Sequence, residues 1–465
     1  MIHLINSLQF ELSSTNEQQA FSFRENFGVA FQQQIVDITD ELCSKYVGDE
    51  EWLRIDKLEI DLGSFSPAAF DRDFSFIFKS KFEKELIERL SGISSIQRKA
   101  SAGVSRMQML TWFLQHGNLP WWVGELHTDI NEIIIELIAN QPKTIVAFLG
   151  QHQANDNLWI RIAFQLNQEA KTKLISIIDD LKKAKALFSE WAAHINIILR
   201  KEYTTEYYVS EPSIENIILK NAPVIFKNTR DITAYLDMFK TFIGSITADS
   251  SVIINEILFL NNSIFKQVFD SLINNESNET IFAEPAISSM MNNADEEVVS
   301  AKYAVRHAGI ILLYPFIKSF FTNLQLLDEK EWKNKESQYK AVHLLKFLST
   351  GEQKMPEYNL QLEKIMCGFP IEEPIPVDIL LNENEINEVQ QLLESVIEHW
   401  KALKNTSVNG LRESFLQRDG ILTAKENNWL LQVERKTIDI LVESIPWGYS
   451  TITFSWNGNL IFVEW

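Results

Sequence analysis

Ile445-Pro446-Trp447-Gly448-Tyr449-Ser450-Thr451-Ile452-Thr453-Phe454-Ser455-Trp456-Asn457-Gly458-Asn459-Leu460-Ile461-Phe462-Val463-Glu464-Trp465 reads as two alternating apolar runs around an Asn-Gly pair. Chain ends usually fray, so a terminal stretch this apolar calls for a surface to bury it. Asn-Gly between such runs is the strongest short-range hairpin signal, because both central residues of a type I′ turn need φ > 0. With Asn457 and Gly458 in the turn, Trp456 faces Asn459, Phe454 faces Ile461, Ile452 faces Val463 and Ser450 faces Trp465. One side of the ribbon then carries Ile452, Phe454, Trp456, Ile461, Val463 and Trp465. A two-stranded ribbon is marginal alone, so this face is expected to pack on the preceding helices or on another subunit.

Upstream, the pattern is mainly α, in a helical multi-domain protein. Residues 1–100 read as a strand-helix-strand-helix unit: a strand over Ile2–Leu12, a helix capped by Thr15 or Asn16 and running to Tyr46, a strand over Trp52–Leu62 closed by Gly63, and a helix over Pro67–Leu90. Strands near both chain ends invite one mixed sheet. Residues 101–272 form a helical domain without a strand signal, with helices predicted over Met107–Gln115, Asp129–Asn140, Trp159–Gln165, Lys173–Ile198 and Ile232–Ile243. Residues 273–298, rich in Asn, Ser and acids, read as a polar linker. Residues 299–465 are a C-terminal helical domain ending in the β-hairpin. Within it, Glu383–Lys404 carries the apolar stripe of an amphipathic helix, with Asn382 and Glu385 as a capping pair. A shorter helix, Ser337–Leu348, stops at Gly351. Pro356, Pro370, Pro374 and Pro376 then predict an extended connection.

The 465 residues carry a formal net charge of −20 and a pI near 4.9. Nucleic acid and anionic membrane surfaces both reward Lys and Arg, so that balance argues against either as partner. Met1-Ile2-His3-Leu4 lacks the basic and apolar regions of a signal peptide, and the apolar run from Ala308 to Phe321 is too short to span a bilayer, so it is expected in the core. The two cysteines, Cys43 and Cys367, suggest no disulfide framework, as suits a reducing cytoplasm.

Chemical motifs are nearly absent. There is no phosphate-binding loop, no Gly-x-Gly-x-x-Gly, no Gly-x-Ser-x-Gly and no His-Glu-x-x-His. The eight histidines never pair at metal-ligand spacing on one helical turn. Cys43 and Cys367 read as small buried hydrophobes rather than nucleophiles. No enzyme, cofactor or metal is expected. Candidates for a partner interface are Pro120, Trp121 and Trp122, where adjacent Trp residues after Gly117 are either both buried or split between core and surface, and the terminal Trp447, Trp456 and Trp465.

Several further stretches carry a resemblance. Arg54-Ile-Asp-Lys-Leu-Glu-Ile-Asp-Leu-Gly63, Phe113-Leu-Gln-His-Gly-Asn-Leu-Pro-Trp-Trp122, Ala308-Gly-Ile-Ile-Leu-Leu-Tyr-Pro-Phe316, Phe347-Leu-Ser-Thr-Gly351, Met366-Cys-Gly-Phe-Pro370, His399-Trp-Lys-Ala-Leu-Lys404, Leu411-Arg-Glu-Ser-Phe-Leu-Gln-Arg418 and the terminal Pro-Trp-Gly and Val-Glu-Trp together resemble the tape measure proteins of extracellular contractile injection systems, which are phage-tail-like particles. In the final ribbon the family tends to have Leu-Pro-Trp; here Phe454-Ser455-Trp456 stands instead. The resemblance implies a structural or assembly component whose partners are tube, baseplate or cap proteins, made in the cytoplasm and incorporated into the particle. It also implies a role in setting tube length. As one continuous helix, 465 residues would reach about 700 Å, whereas a compact globule has a radius of gyration of about 23 Å. The spread of Pro and Gly and the lack of a sustained apolar heptad favour the compact form, so the alternative is a globular adaptor or assembly chaperone of the same particle.

Overall fold

The computed structural model describes residues 29–46, 55, 58–64, 67–91, 95–120, 123, 129–202, 208–246, 262–274 and 301–465. The chain divides into two compact units, residues 1–110 with 120–129, and residues 111–119 with 130–465. It is mostly helical with a C-terminal sheet, the class expected from the pattern. Among the described residues no single helix is long and apolar enough to cross a membrane.

The first unit contains the two predicted helices, Val29–Tyr46 and Pro67–Ser91. Phe74, Phe78, Phe82, Leu86 and Leu90 recur every fourth residue, so they form one stripe, which buries against Ile35 and Leu42. Phe74, Phe78 and Phe82 stack in succession, with centroids 5.7 and 5.6 Å apart. The strand expected over Ile2–Leu12 lies outside the described residues. Those described within Trp52–Leu62 carry no strand, and Gly63 ends the stretch at φ 83°.

In the second unit the helical array runs from Ile130–Asn140 through Pro142–Gln151, Asp156–Gln165, Gln168–Ser176, Asp179–Glu202, Glu211–Lys220, Ala222–Lys227 and Ile232–Ile246 to Asn262–Phe269. The single helix predicted over Lys173–Ile198 is in fact two. Asp179 and Asp180 favour a helix N-terminus, where carboxylates meet the exposed N–H groups, and a new helix starts there. Asn155, Asn167 and Ser210 cap three of the others, each side chain accepting a backbone N–H three residues on. The array has its own aromatic core, in which Phe188, Trp191, Tyr235, Phe239 and Phe265 pack ring on ring.

The C-terminal module, residues 301–465, folds around a five-stranded sheet. Its strands are β1 (Lys302–Val305), β4 (Gly420–Lys425), β5 (Asn428–Val433), β6 (Thr451–Phe454) and β7 (Asn457–Glu464), in the order β1-β4-β5-β7-β6. A separate two-residue pair, β2 (Leu327–Asp328) with β3 (Glu331–Trp332), lies between helices. All contacts in the main sheet are antiparallel except β5 with β7. Of these strands only the terminal ribbon was expected from the sequence, and it is part of this mixed sheet rather than a free hairpin.

The ribbon's turn differs from the predicted one. Ile452 pairs with Ile461 and Phe454 with Asn457, so Ser455 and Trp456 make the turn and Asn457 opens β7. Asn457 Nδ2 donates to the Ile365 carbonyl at 2.6 Å, and Trp456 Nε1 to that of Met366 at 2.9 Å. Those bonds, with the parallel pairing of Trp429 to Ile461 and Leu431 to Val463, fix β7 from outside the hairpin. Gly458 is not among the residues with positive φ. A two-residue slip leaves each side chain on its predicted face, and Ile452, Phe454, Ile461 and Val463 are all buried.

The helix over Glu383–His399 has the predicted capping box of Asn382 and Glu385. It stops five residues before the predicted end because Trp400 turns into the core, donating Nε1 to the Leu441 carbonyl at 3.0 Å. Lys335–Thr350 ends at Gly351 with φ 74°. The connection predicted to be extended contains a 3₁₀ turn, Glu357–Asn359, and a helix, Gln361–Met366. No proline falls between Pro356 and Pro370, so helical hydrogen bonds close there. The apolar run is core as expected, with Ala308–Leu313 a wholly buried 3₁₀ helix.

Candidate functional site

Pro120 is buried, and Trp121 and Trp122 lie outside the described residues. The terminal Trp residues are half-buried, and each indole N–H is satisfied within the fold. Trp447 donates to the Leu312 carbonyl at 2.9 Å and meets the Phe316 ring edge-on at 5.0 Å. Trp456 lies between Trp332, Phe321 and Phe454. Trp465 donates to Asp439 Oδ2 at 3.0 Å. The same carboxylate binds the buried Arg418 through Oδ1 at 2.7 Å, which ties the last residue to the interior. The geometry therefore brings these three into the core's periphery, and does not bring them to one place.

Side chains that pattern reading passed over are the exposed ones. On the sheet face away from the core, Ile421 and Phe462 are 46% and 40% exposed, and in the 3₁₀ helix Thr437–Ser444 Ile440 is 71% exposed. Strand β6 forms one edge of the sheet and its Thr-Ile-Thr-Phe sequence has no charge, whereas the other edge, β1, begins with Lys302. Uncharged edges are the ones that pair with other strands. Alternation would have marked β4 and β5 had Glu426 been recognised as a turn residue; it adopts φ 51° between them.

A second feature is a buried ionic cluster joining the array to the C-terminal module. Arg161 is fully buried and its guanidinium has five polar contacts' worth of geometry to satisfy. Nε donates to Glu357 Oε2 at 3.0 Å and Nη2 to Oε1 at 3.3 Å; Nη1 reaches the Leu114 carbonyl at 2.6 Å and Nη2 also meets the Glu372 carbonyl. Lys364 donates to Glu357 Oε1 at 2.6 Å and to the Ile371 carbonyl at 2.7 Å. Burial, the largest influence, holds the Lys364 ammonium below its usual range, opposed by Glu357. Gln165 completes the junction, donating to the Ile375 carbonyl at 2.7 Å and accepting from the Glu357 N–H at 3.0 Å. Gly117, at φ 74°, closes over the cluster. A Cβ there would stand 2.4 Å from Glu357 Oε1 and 2.8 Å from Arg161 Nη2.

Cys367 is wholly buried, which pushes its thiol well up and keeps it protonated. Cys43 is half-buried and raised for the same reason. His399 is exposed and bonds its own helix through the Ser395 carbonyl at 2.7 Å, and His307 pairs with Glu363 at 3.1 Å. Among the described residues no group of three or more His, Cys, Asp or Glu could hold a metal ion.

Compared with known proteins, the chain matches the family profile described as contractile injection system tape measure protein over residues 2–465. No curated protein and no solved structure matches it.

Proposed function

The chain belongs to the contractile injection system tape measure protein family, and from that premise we propose that it works as a folded assembly component of the particle rather than as one continuous helical ruler. The observation that carries this reading is helix length within a full-length family match. The longest helix among the described residues is the 25-residue Pro67–Ser91, about 37 Å at 1.5 Å per residue. In the second unit, capped ends, prolines and left-handed glycines separate successive helices, and their buried residues are already used in packing. Tube, baseplate or cap proteins of the particle are the proposed partners. Synthesis in the cytoplasm, incorporation into the particle and the lack of any catalytic step belong to the same proposal.

Quantitative mass spectrometry of purified particles tests it. Retention at a fixed copy number per particle supports a built-in component. Absence from particles, with the protein left in the producing cell, would replace this reading with that of an assembly chaperone.

A further inference from the structure

We propose that the Arg161–Glu357–Lys364 cluster is a releasable latch, from which the C-terminal module can undock as a folded body. The first reason is where the cores lie. Every residue of the module's apolar core, from Val305 to Val463, and every half-buried residue packed on it comes from the module itself. The array buries its own aromatic cluster around Trp191. Parting the two leaves both cores intact.

The second reason is what the junction is made of. Arg161 and Gln165 reach across to one carboxylate and to backbone groups, and two edge-on ring pairs, Phe113 with Tyr358 and Phe164 with Tyr339, accompany them. Burying charges costs a desolvation free energy that their attraction only partly returns. On opening, water restores that solvation, which it cannot do for a parted apolar surface.

The third reason is how the charges divide. Glu357 and Lys364 both belong to the module and are bonded to each other at 2.6 Å. Undocking therefore leaves that pair closed, and of the three charges only Arg161 loses its partner, emerging into solvent where a guanidinium needs no protein partner. Two cations on one carboxylate make a junction in which the shared anion is never abandoned. The latch is a property of the chain alone and stands whether or not the particle role proposed above holds.

The test uses the full chain with Cys43→Ser, leaving the buried Cys367 in place, and spin labels at Lys182→Cys on the array and Glu398→Cys on the module, both exposed positions. Electron–electron distance measurements are paired with amide exchange in the helix Lys335–Thr350 and in β5 and β7. Glu357→Gln is the obvious variant but also strips the buried Lys364 of its counter-charge, so Arg161→Lys, which keeps the charge and loses the fork, and Gln165→Ala serve instead. The latch predicts one dominant distance in the parent protein and a second, longer population in both variants, with exchange protection in the module unchanged. Unchanged distances in both variants would overturn it. So would a longer population that appears only together with lost protection inside the module, since the junction would then be part of one cooperative fold.

Discussion

Lys346 offers the sharpest test of the module's energetics. It falls in the run Ala341–Ser349, which is buried on every side of its helix, and its ammonium has no hydrogen-bond partner among the described residues. Burial, the largest influence, pushes its pKa down to about 8 from 10.5, opposed by Glu352 and Glu363. Because the folded state holds the proton less tightly than the unfolded chain, the folded state is penalised wherever the amine is charged. At pH 7 the difference between about 8 and 10.5 corresponds to about 3 kcal/mol. Lys346→Met keeps the length of the side chain and removes the charge, so it should stabilise the protein by about 2–3 kcal/mol at pH 7. The sign of the pH dependence follows. Below about 8 both states of the parent are protonated and the penalty is full; between about 8 and 10.5 the folded state has lost the proton that the unfolded state keeps, so stability rises with pH. The advantage of the Met variant should therefore shrink across that window. Urea unfolding of parent and variant at pH 7 and at pH 9.5, followed by exchange in the helix Lys335–Thr350, measures it. A variant no more stable than the parent at pH 7, or an advantage that does not change with pH, would refute the reasoning.

Three further outcomes are expected. Deleting Leu460–Trp465 removes the buried Ile461 and Val463, roughly 3–6 kcal/mol of apolar burial, and takes a central strand out of the sheet, so soluble, cooperatively melting protein after that deletion would contradict the sheet order. Gly458→Ala should cost less than about 1 kcal/mol because the residue is neither left-handed nor crowded; a loss above about 2 kcal/mol in a thermal melt would restore the Asn-Gly turn. Gly117→Ala should cost about 2 kcal/mol or more, because its φ is 74° and the new Cβ meets Glu357 and Arg161; a melting temperature within error of the parent's would be inconsistent with that packing.

What could be read beforehand was whatever local chemistry alone decides. The Asn382–Glu385 capping box, the Gly351 stop and the apolar stripe of Glu383–His399 need only neighbours in sequence, and each is present. The ribbon's buried face was legible for the same reason, through its two-residue period. Its turn was not, because Asn457 and Trp456 are held by carbonyls of Ile365 and Met366, about ninety residues away. Strands β4 and β5 were missed since their turn uses Glu426 in a left-handed conformation that Gly or Asn usually takes. The ionic cluster gave no local signal at all. Arg161 and Glu357 are 196 positions apart, and each taken singly reads as an ordinary surface charge until the fold buries them together. Trp447, Trp456 and Trp465 were marked by residue type, yet what each does is set by acceptors on distant segments.

The measurement that bears most directly on a folded component as against a ruler is tube length, by electron microscopy, in particles made with residues deleted from or inserted into the polar stretch 273–298. For twenty residues removed, a helical ruler shortens each particle by about 30 Å, and for twenty added it lengthens each by as much. A folded assembly component predicts an unchanged length distribution in both cases. Lengths that scale linearly with the number of residues would contradict it.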